Sequence, residues 1–409
     1  MRSKSDKKKP LVPSLRFPEF REAGAWEVKY GNSLFIQISN KEHNASLPVL
    51  AITQENGAIP RHLIDYHVSV TEKSLKSYKV VDIGDFIISL RTFQGGIEYS
   101  DYKGICSPAY IVLRAATEEV INDFFRHYFK TEKYIADLNR NLEGLRDGKM
   151  VSYKQFSEIK LPLPISPEQQ KIAHCLSSLD EVIGLQAKKV QALKQHKKGL
   201  MQQLFPAEGE TTPRLRFPDF REAGAWEVKR LGEVCDSFSG GTPTTTKKQY
   251  YGGSIPFIRS AEIADEITEL FLTDEGVKAS SAKIVSKGDV LVALYGANSG
   301  DVALSKISGA INQAILCLRL SVSNEFIYHY LTHKKGLIIA TYIQGGQGNL
   351  SGEIVCSISI GFPDNEEQQK IAHCLSSLDE VIGLESHKLD ALKNLKKGLM
   401  QQLFPQDVA

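Results

Sequence analysis

Three short segments carry side chains whose types suit polar recognition. The first contains Arg91, Thr92, Phe93 and Gln94, and the second contains Tyr295, Asn298 and Ser299. Arginine can pair bidentately with guanine, and glutamine or asparagine can pair in the same way with adenine. The third segment combines positive charge with aromatic rings, which suits phosphate contact; it contains Lys247, Lys248, Tyr250 and Tyr251. For any single one of these residues, an ordinary solvated turn is the alternative interpretation.

The sequence contains none of the common catalytic signatures. It has no Asp/Asn/Ser-Pro-Pro-aromatic motif of adenine methyltransferases, no GxxxxGK(S/T) phosphate loop and no GxSxG elbow. Glycine-rich stretches at 239–241 and 345–348 do not fall between a strand and a helix, so they are predicted to be turns. Among the ten histidines, only His174 and His373 recur at equivalent helical places, where packing or a partner contact explains them better than catalysis. The chain is therefore not expected to be an enzyme.

Cysteine usage and hydropathy place the chain in a reducing cytoplasm. The six cysteines have no zinc-binding spacing and are predicted to be free thiols. They are Cys106, Cys175, Cys235, Cys317, Cys356 and Cys374. There is no run of about eighteen apolar residues, and no apolar segment follows the basic start MRSKSDKKKP, so neither a membrane span nor a secretory signal is predicted. No metal or cofactor is expected on this chain.

The net charge of +2 is low for an autonomous, high-affinity nucleic-acid binder. Residues 31–160 carry 16 Lys and Arg against 16 Asp and Glu, and residues 231–362 carry 10 against 12. If the chain binds DNA, local patches or partner subunits must therefore neutralise most of the phosphates.

An internal repeat with a period of about 200 residues dominates the sequence. Its near-identical parts are LRFPEFREAGAWEVKY (15–30) and LRFPDFREAGAWEVKR (215–230), EQQKIAHCLSSLDEVIGL (168–185 and 367–384) and KGLMQQLFP (198–206 and 397–405). The interiors share only sparse anchors, such as IGDFIISLRTFQGG (83–96) against KGDVLVALYGANSG (287–300). Duplication of one domain explains why near-identical segments flank two interiors, or lobes, whose sequences have diverged.

Each lobe is predicted to be mixed α/β. The predicted strands are Val80–Leu90 and Asp289–Leu294, and the predicted helices are Glu118–Asn139 and Asn324–Ile343. The first two polar segments follow these strands, so they are predicted to be loops.

Two long helices are predicted where the repeats resume, after the capping residues Ser166 and Asn365. Eight of ten heptad seam positions are apolar in each copy. The positions are Ile172, Leu176, Leu179, Ile183, Gln186, Val190, Leu193, Lys197, Leu200 and Leu204, and Ile371, Leu375, Leu378, Ile382, Glu385, Leu389, Leu392, Lys396, Leu399 and Leu403. Matching seams favour an antiparallel pair about 57 Å long that spaces the lobes, with a plain dimerisation coil as the alternative. Gly184 and Gly383, in mid-seam, either allow close helix approach or mark a break.

In combination, these motifs resemble those of the specificity subunits of Type I restriction–modification systems. The resemblance rests on Trp226-Glu227 with Leu231-Gly232-Glu233, on Gly241-Thr242-Pro243, and on the EQQKIA starts and QQLFP ends of the helices. The first copy departs from it, reading WEVKYGNSL and lacking the GTP loop. The resemblance implies two target-recognition domains, each reading one half of a bipartite double-stranded DNA target, and two docked methyltransferase subunits. Motor-nuclease subunits would join the complex, and S-adenosylmethionine, ATP and Mg are expected in the partner subunits.

The repeat and the predicted loops, taken together with the resemblance, give an expected division of the chain and an expected set of contact residues. The expected segments are a disordered basic tail (1–14), recognition domain 1 (15–160), a helical region (161–206), a linker (207–214), recognition domain 2 (215–362) and a second helical region (363–409). The expected DNA contacts are Arg91, Thr92, Phe93, Gln94, Lys247, Lys248, Tyr250, Tyr295, Asn298 and Ser299. The expected partner contacts are Gln169, Gln170, His174, Gln368, Gln369 and His373. A non-enzymatic, two-lobed coiled-coil scaffold that binds proteins is the alternative, which the near-neutral lobes would suit.

Overall fold

A computed structural model of the chain describes residues 10–43, 46–64, 72–140, 151–342 and 349–406. These residues form two compact units: unit 1 draws on the described residues up to 186 and from 388 onward, and unit 2 on the described residues between 187 and 387. Residues 1–9 of the predicted tail and the whole glycine-rich stretch 345–348 lie outside the described residues. Residues 10–14 are ordered rather than disordered, because Leu11 is buried in the core of unit 1 and its carbonyl accepts a hydrogen bond from the Trp26 amide.

Unit 1 is mixed α/β. Its strands are β1 (Glu27–Tyr30), β2 (Phe35–Ile38), β3 (Leu50–Thr53), β4 (Gly57–Pro60), β5 (Lys79–Val81), β6 (Phe86–Ile88), β7 (Glu98–Tyr99), β8 (Gly104–Cys106), β9 (Ile111–Ala115) and β10 (Lys160–Leu163). Its helices are α1 (Gly31–Leu34), α2 (Glu72–Leu75), α3 (Thr92–Gly95), α4 (Asn122–Tyr128), α5 (Glu132–Arg140), α6 (Tyr153–Ser157) and the first part of α7 (Ser166–Leu204). The main sheet is antiparallel, in the order β2-β9-β6-β7.

Unit 2 repeats this plan with a larger second sheet. Its strands are β11 (Glu227–Arg230), β12 (Cys235–Ser239), β13 (Tyr251–Ile258), β14 (Phe271–Leu272), β15 (Lys283–Val285), β16 (Val290–Ala293), β17 (Val302–Leu304), β18 (Gly309–Ile311), β19 (Ile315–Leu320) and β20 (Ser359–Phe362). Its helices are α8 (Leu231–Val234), α9 (Asp274–Lys278), α10 (Asn324–Tyr342), α11 (Gly352–Ser357), the first part of α12 (Asn365–Leu403) and the last part of α7. The last part of α12 belongs to unit 1. The order β12-β19-β16-β17 matches the main sheet of unit 1, and a mixed sheet, β14-β13-β18-β15, is added.

Two elements are shorter than predicted from the sequence. The predicted strand Val80–Leu90 is two strands, because Gly84 has a φ of 94° and turns the chain between β5 and β6. The predicted helix Glu118–Asn139 is two helices, because the Thr131 hydroxyl accepts a hydrogen bond from the Tyr134 amide and caps a new helix, α5. The predicted strand Asp289–Leu294 is confirmed as β16, and the helix from Asn324 is confirmed as α10.

The repeated motifs are explained by contacts that each unit makes within itself. The WEVK strand pairs antiparallel with the strand that precedes the long helix, β1 with β10 and β11 with β20. The guanidinium of Arg16 forms a bidentate ion pair with the carboxylate of Glu168, and Arg216 does the same with Glu367. These four side chains are almost fully buried. Each pair therefore holds the repeated segment at 15–30 or 215–230 to the first turn of a long helix.

Both long helices are continuous for 39 residues. A Cβ added at Gly184 or Gly383 would meet no described heavy atom within 4 Å, so these glycines neither break the helix nor allow a close approach. In unit 2 the helices run antiparallel, since Lys189 pairs with Glu385 and Lys197, further along α7, pairs with Asp379, earlier in α12.

Candidate nucleic-acid interface

In unit 1, the segment that follows β6 is fixed by its neighbours. The Lys130 ammonium donates to the Gly95 carbonyl at 3.0 Å, and the Asn139 amide donates to the Phe93 carbonyl at 2.9 Å. The Gln54 amide donates to the Arg91 carbonyl at 3.4 Å. These contacts hold the backbone of α3, while the side chains of Arg91 and Gln94 are exposed. A rigid backbone with exposed polar side chains is suited to recognition.

Two of the predicted contact residues in this segment differ in their surroundings. Thr92 is only 1% exposed, and its hydroxyl accepts a hydrogen bond from the Ser89 amide at 2.8 Å. Its side chain therefore supports the loop and is not available to a ligand, contrary to the prediction. Phe93 is half-buried.

The tip of the β3–β4 hairpin adds polar groups that the sequence analysis missed. Gln54 and Asn56 are exposed there, and the Gln54 side chain lies over Gly95, where an added Cβ would come within 2.7 Å of it. The pair Asn56-Gly57, with Gly57 at a φ of 63°, is a common hairpin turn signal and could have revealed this turn.

In unit 2, the segment that follows β16 is a turn around Gly296, which has a φ of 80°. Tyr295 is exposed, and Asn298 is half-buried. The Ser299 hydroxyl donates to the Leu294 carbonyl at 2.9 Å, so it closes the turn instead of projecting from it. Tyr295 and Asn298 are the side chains of this segment best placed to meet a ligand.

The basic–aromatic segment of unit 2 folds onto itself. Tyr250 is buried, contrary to its predicted role as a contact, and its hydroxyl accepts a hydrogen bond from the Lys247 ammonium at 3.1 Å. This hydrogen bond raises the pKa of Lys247. The Tyr251 hydroxyl donates to the Pro243 carbonyl at 2.7 Å and closes the loop over the Gly-Thr-Pro motif at 241–243. The exposed groups are Lys247 and Lys248, whose positive charge suits phosphate contact.

The predicted partner contacts divide into buried and exposed groups. Gln169 is fully buried; its amide donates to the Glu119 and Pro164 carbonyls, and its oxygen accepts from the Ile121 amide. Gln368 is also buried, and its amide donates to the Pro363 carbonyl. Gln169 holds the lobe to the start of α7, and Gln368 is bonded to Pro363, just before the start of α12. Because both side chains are buried, the prediction that they meet a partner is wrong on grounds of access. Four others are exposed on the long helices, namely Gln170, His174, Gln369 and His373.

An exposed apolar pair continues each of these helical faces. Val182 and Leu185 in α7 are 46% and 60% exposed, and Val381 and Leu384 in α12 are 41% and 70% exposed. At 100° per residue, Gln170, His174, Val182 and Leu185 fall within about a third of the helix circumference. We call this face, and its equivalent in α12, the outer helix face. Large exposed apolar side chains grouped with polar ones often mark an interaction surface.

Two classes of site are not found in the described part of the chain. Residues 10–43, 46–64, 72–140, 151–342 and 349–406 contain no cluster of His, Cys, Asp or Glu that could hold a metal ion. Among the same residues, no helix is long and apolar enough to cross a membrane.

The family model for the Type I restriction modification DNA specificity domain matches twice, at residues 27–195 and 224–394. The chain belongs to this family. Each match covers one lobe and most of the long helix that follows it, as the repeat predicted. The predicted family is thereby confirmed, and so is the predicted fold class of two mixed α/β lobes in an internal repeat. The two predicted long helices correspond to α7 and α12, of 39 residues each.

Known specificity subunits resemble this chain along most of its length. It is 24% identical over 416 residues to the Type I restriction enzyme MjaVIII specificity subunit of Methanocaldococcus jannaschii, covering 95% of this chain and 93% of the relative. It is 25% identical over 250 residues to the EcoR124I/EcoR124II specificity subunit of Escherichia coli, covering 58% and 59%. The crystal structure of the Type I restriction–modification S subunit from M. genitalium has the same fold, with a TM-score of 0.62, 16% identity and coverage of 98% and 100%.

Proposed function

We propose that this specificity subunit is a non-catalytic DNA reader that recognises a bipartite, asymmetric target and docks two methyltransferase subunits. The observation that carries the proposal is that the two units share their main sheet and long helices but differ in the exposed side chains of their loops. Both units have the same main sheet, and in both a buried aspartate pairs with an arginine of the neighbouring strand, Asp85 with Arg114 and Asp289 with Arg319. The exposed side chains above these sheets differ, as two different half-sites would require.

Each lobe would read its half-site with the exposed groups that its rigid turn presents. In unit 1 these are Arg91 and Gln94, with Gln54 and Asn56 beside them. In unit 2 they are Tyr295 and Asn298, with Lys247 and Lys248 contacting phosphates. Arginine, glutamine and asparagine provide the bidentate pairing that distinguishes bases in the major groove.

Docking of two identical partners is supported by the outer helix faces. The faces in α7 and α12 have the same sequence, EQQKIAHCLSSLDEVIGL, so one partner surface fits both. The partners proposed for these faces are methyltransferase subunits, which would bring S-adenosylmethionine and the chemistry that this chain lacks. Motor-nuclease subunits, with ATP and Mg, would join through the complex.

The test is reconstitution with the methyltransferase subunit and mapping of methylated sites on genomic DNA. We expect one bipartite sequence with a fixed spacer. Replacing residues 231–362 with the lobe of a related subunit should then change one half of that sequence and leave the other half unchanged. A change in both halves, or methylation without a bipartite consensus, would contradict the proposal.

A protein-binding scaffold is the second candidate, favoured by lobes whose net charges are 0 (16 against 16) and −2 (10 against 12). The same reconstitution separates the two candidates. A scaffold would assemble with its partners but would leave the site preference of the methyltransferase independent of the lobe that is present.

A further inference from the structure

Each recognition lobe is fastened to the long helices by the same four polar side chains. In unit 1, His127 of α4 has its Nε2 3.1 Å from the Ser177 hydroxyl of α7. Its Nδ1 lies 3.8 Å from the Asp180 carboxylate, also in α7. The Asp180 carboxylate in turn accepts hydrogen bonds from the Lys396 ammonium of α12, at 2.5 and 2.6 Å. The lobe is thereby hydrogen-bonded to α7, and the Asp180–Lys396 ion pair beside this bond joins α7 to α12.

Unit 2 contains the same arrangement with the two helices exchanged. His329 of α10 has its Nε2 3.1 Å from the Ser376 hydroxyl of α12, and its Nδ1 lies 3.9 Å from the Asp379 carboxylate. Asp379 receives the Lys197 ammonium of α7 at 2.5 Å. The distances agree within 0.1 Å between units whose lobe sequences are divergent. We call each set of four side chains the docking network.

The histidines of both docking networks are buried and neutral. His127 is 3% exposed and His329 is fully buried. Burial, together with the nearby lysine, lowers the pKa of His127 to about 4 and that of His329 to about 3. A buried imidazole that kept only an apolar role could be replaced by leucine or phenylalanine, which carry no desolvation cost. The recurrence of histidine therefore points to its directional hydrogen bond.

Directionality matters because the neighbouring aromatic contacts between lobe and helix are apolar. Phe124 of unit 1 packs on Phe404 with ring centroids 5.3 Å apart, and Phe326 of unit 2 packs on Phe205 at 5.8 Å. Apolar packing stabilises an interface but is non-directional, whereas a hydrogen bond weakens steeply when its angle changes. The docking network is thus suited to fix the angle at which a lobe sits on its helices.

We propose that His127 and His329 are positioning residues that fix the orientation of each lobe on its helices and thereby restrict recognition to one spacer length. This inference rests on the proposed function. If the lobe can rotate on its helices, the exposed side chains proposed to contact the bases reach a half-site displaced by a base pair along the DNA. The half-site sequence itself is read by other side chains and stays the same.

The test compares variants in the reconstituted complex with methyltransferase subunits. Substrates carry both half-sites with the native spacer or with a spacer one base pair longer or shorter. For His329→Leu we expect the preference for the native spacer to fall about tenfold, the factor that the loss of one buried hydrogen bond implies. His329→Gln, whose amide can reach Ser376, should restore most of the preference.

Two further variants separate positioning from general destabilisation. Ser376→Ala removes only the hydroxyl partner and should lower the spacer preference in the same direction as His329→Leu. Ile311→Val loses a methylene group in a different core cluster of unit 2 and should leave the spacer preference at the wild-type value.

Each outcome bears on a different claim. A wild-type complex that methylates no bipartite sequence overturns the proposed function, and this inference with it. A wild-type complex with one fixed spacer, whose preference is unchanged in His329→Leu and in Ser376→Ala, overturns the positioning role alone. Equal relaxation by Ile311→Val would also overturn it, because loss of stability would then be sufficient.

Discussion

At the scale of single residues, a buried ion pair explains the identity of two positions in each half of the chain. Glu168 and Glu367 are each 1% exposed and receive a bidentate arginine. Breaking such a pair leaves an uncompensated buried charge, which costs about 3–5 kcal/mol. These carboxylates therefore stabilise the fold, and their presence gives little information about the ligand.

The side chains that differ between the lobes should instead control the half-sites. We predict that Arg91→Ala or Gln94→Ala relaxes the base preference at one position of one half-site by about 1–3 kcal/mol, the usual value of a bidentate base contact. Methylation rates measured on substrates with single base changes would show it. Lys76→Ala, also exposed in unit 1, is the control. Uniform weakening on all substrates would assign Arg91 to phosphate contact.

Acidity should destabilise the fold through the buried histidines. Arg126, Asp180 and Lys396 face His127, and its pKa is lowered to about 4 chiefly by burial. Between its ordinary pKa of about 6.5 and this value, the unfolded chain takes up a proton that the folded chain refuses, so stability falls as the pH falls.

We therefore predict that the free energy of unfolding decreases by about 1.4 kcal/mol per pH unit for each buried histidine over this interval. Urea denaturation of the wild type and of His127→Gln/His329→Gln, at several pH values, measures the difference. The variant keeps every carboxylate and lacks only the two histidines, so it should have a flatter profile. Parallel profiles would mean that the histidines are not held neutral.

At the scale of elements, the regular heptad pattern made the long helices predictable from the sequence. The bounds of the other helices and strands depend on single turn residues and were harder to predict. The heptad seam predicts a helix because every turn repeats the same signal, and α7 and α12 each run 39 residues. The strand predicted over Val80–Leu90 failed because apolar residues continue across a turn that only Gly84 marks. Burial of Thr92, Tyr250 and Gln169 could not be predicted, because it depends on neighbours distant in sequence.

The outer helix faces should control the number of bound partners. We predict that Leu185→Asp removes one methyltransferase subunit from the complex, that Leu384→Asp removes one as well, and that the double variant binds none. A charge at the centre of an apolar contact costs several kcal/mol when it is desolvated. Native mass spectrometry gives the stoichiometry. Gln191→Asp, exposed about 120° around α7 from Leu185, should leave it at two. Full occupancy in the double variant would exclude these faces.

At the scale of the whole molecule, charge indicates that recognition depends on the complex. The net charge is +2, and several exposed cations are already paired, including Lys397 with Glu132 and Arg126 with Asp101. Few phosphates can be neutralised by the chain alone. We predict that the isolated chain binds DNA weakly, whereas the complex binds tightly and selectively. Titration of labelled duplex at two salt concentrations checks this; tight selective binding by the chain alone would contradict it.

The continuity of α7 and α12 suggests that helix length sets the distance between half-sites. Both helices pass without a break from the residues of one unit to those of the other, at 186–187 and at 387–388. The ion pairs Asp180–Lys396 and Lys197–Asp379 fall on either side of these points. An insertion in one helix alone would pull one pair out of register. Matched insertions in both helices leave each unit intact.

We predict that inserting four residues after Gln186 and four after His387 lengthens the spacer of the methylated sequence by one or two base pairs. Four residues add about 6 Å and slightly more than one helical turn, so the seam stays nearly in phase. Six ångströms corresponds to roughly two base pairs at about 3.4 Å each along one strand. The half-sites should keep their sequences, because neither reading loop is altered. Insertion after Gln186 alone is the control, and it should lower activity without giving a new defined spacer. An unchanged spacer in an active complex with both insertions would mean that the helices join the lobes without setting their distance.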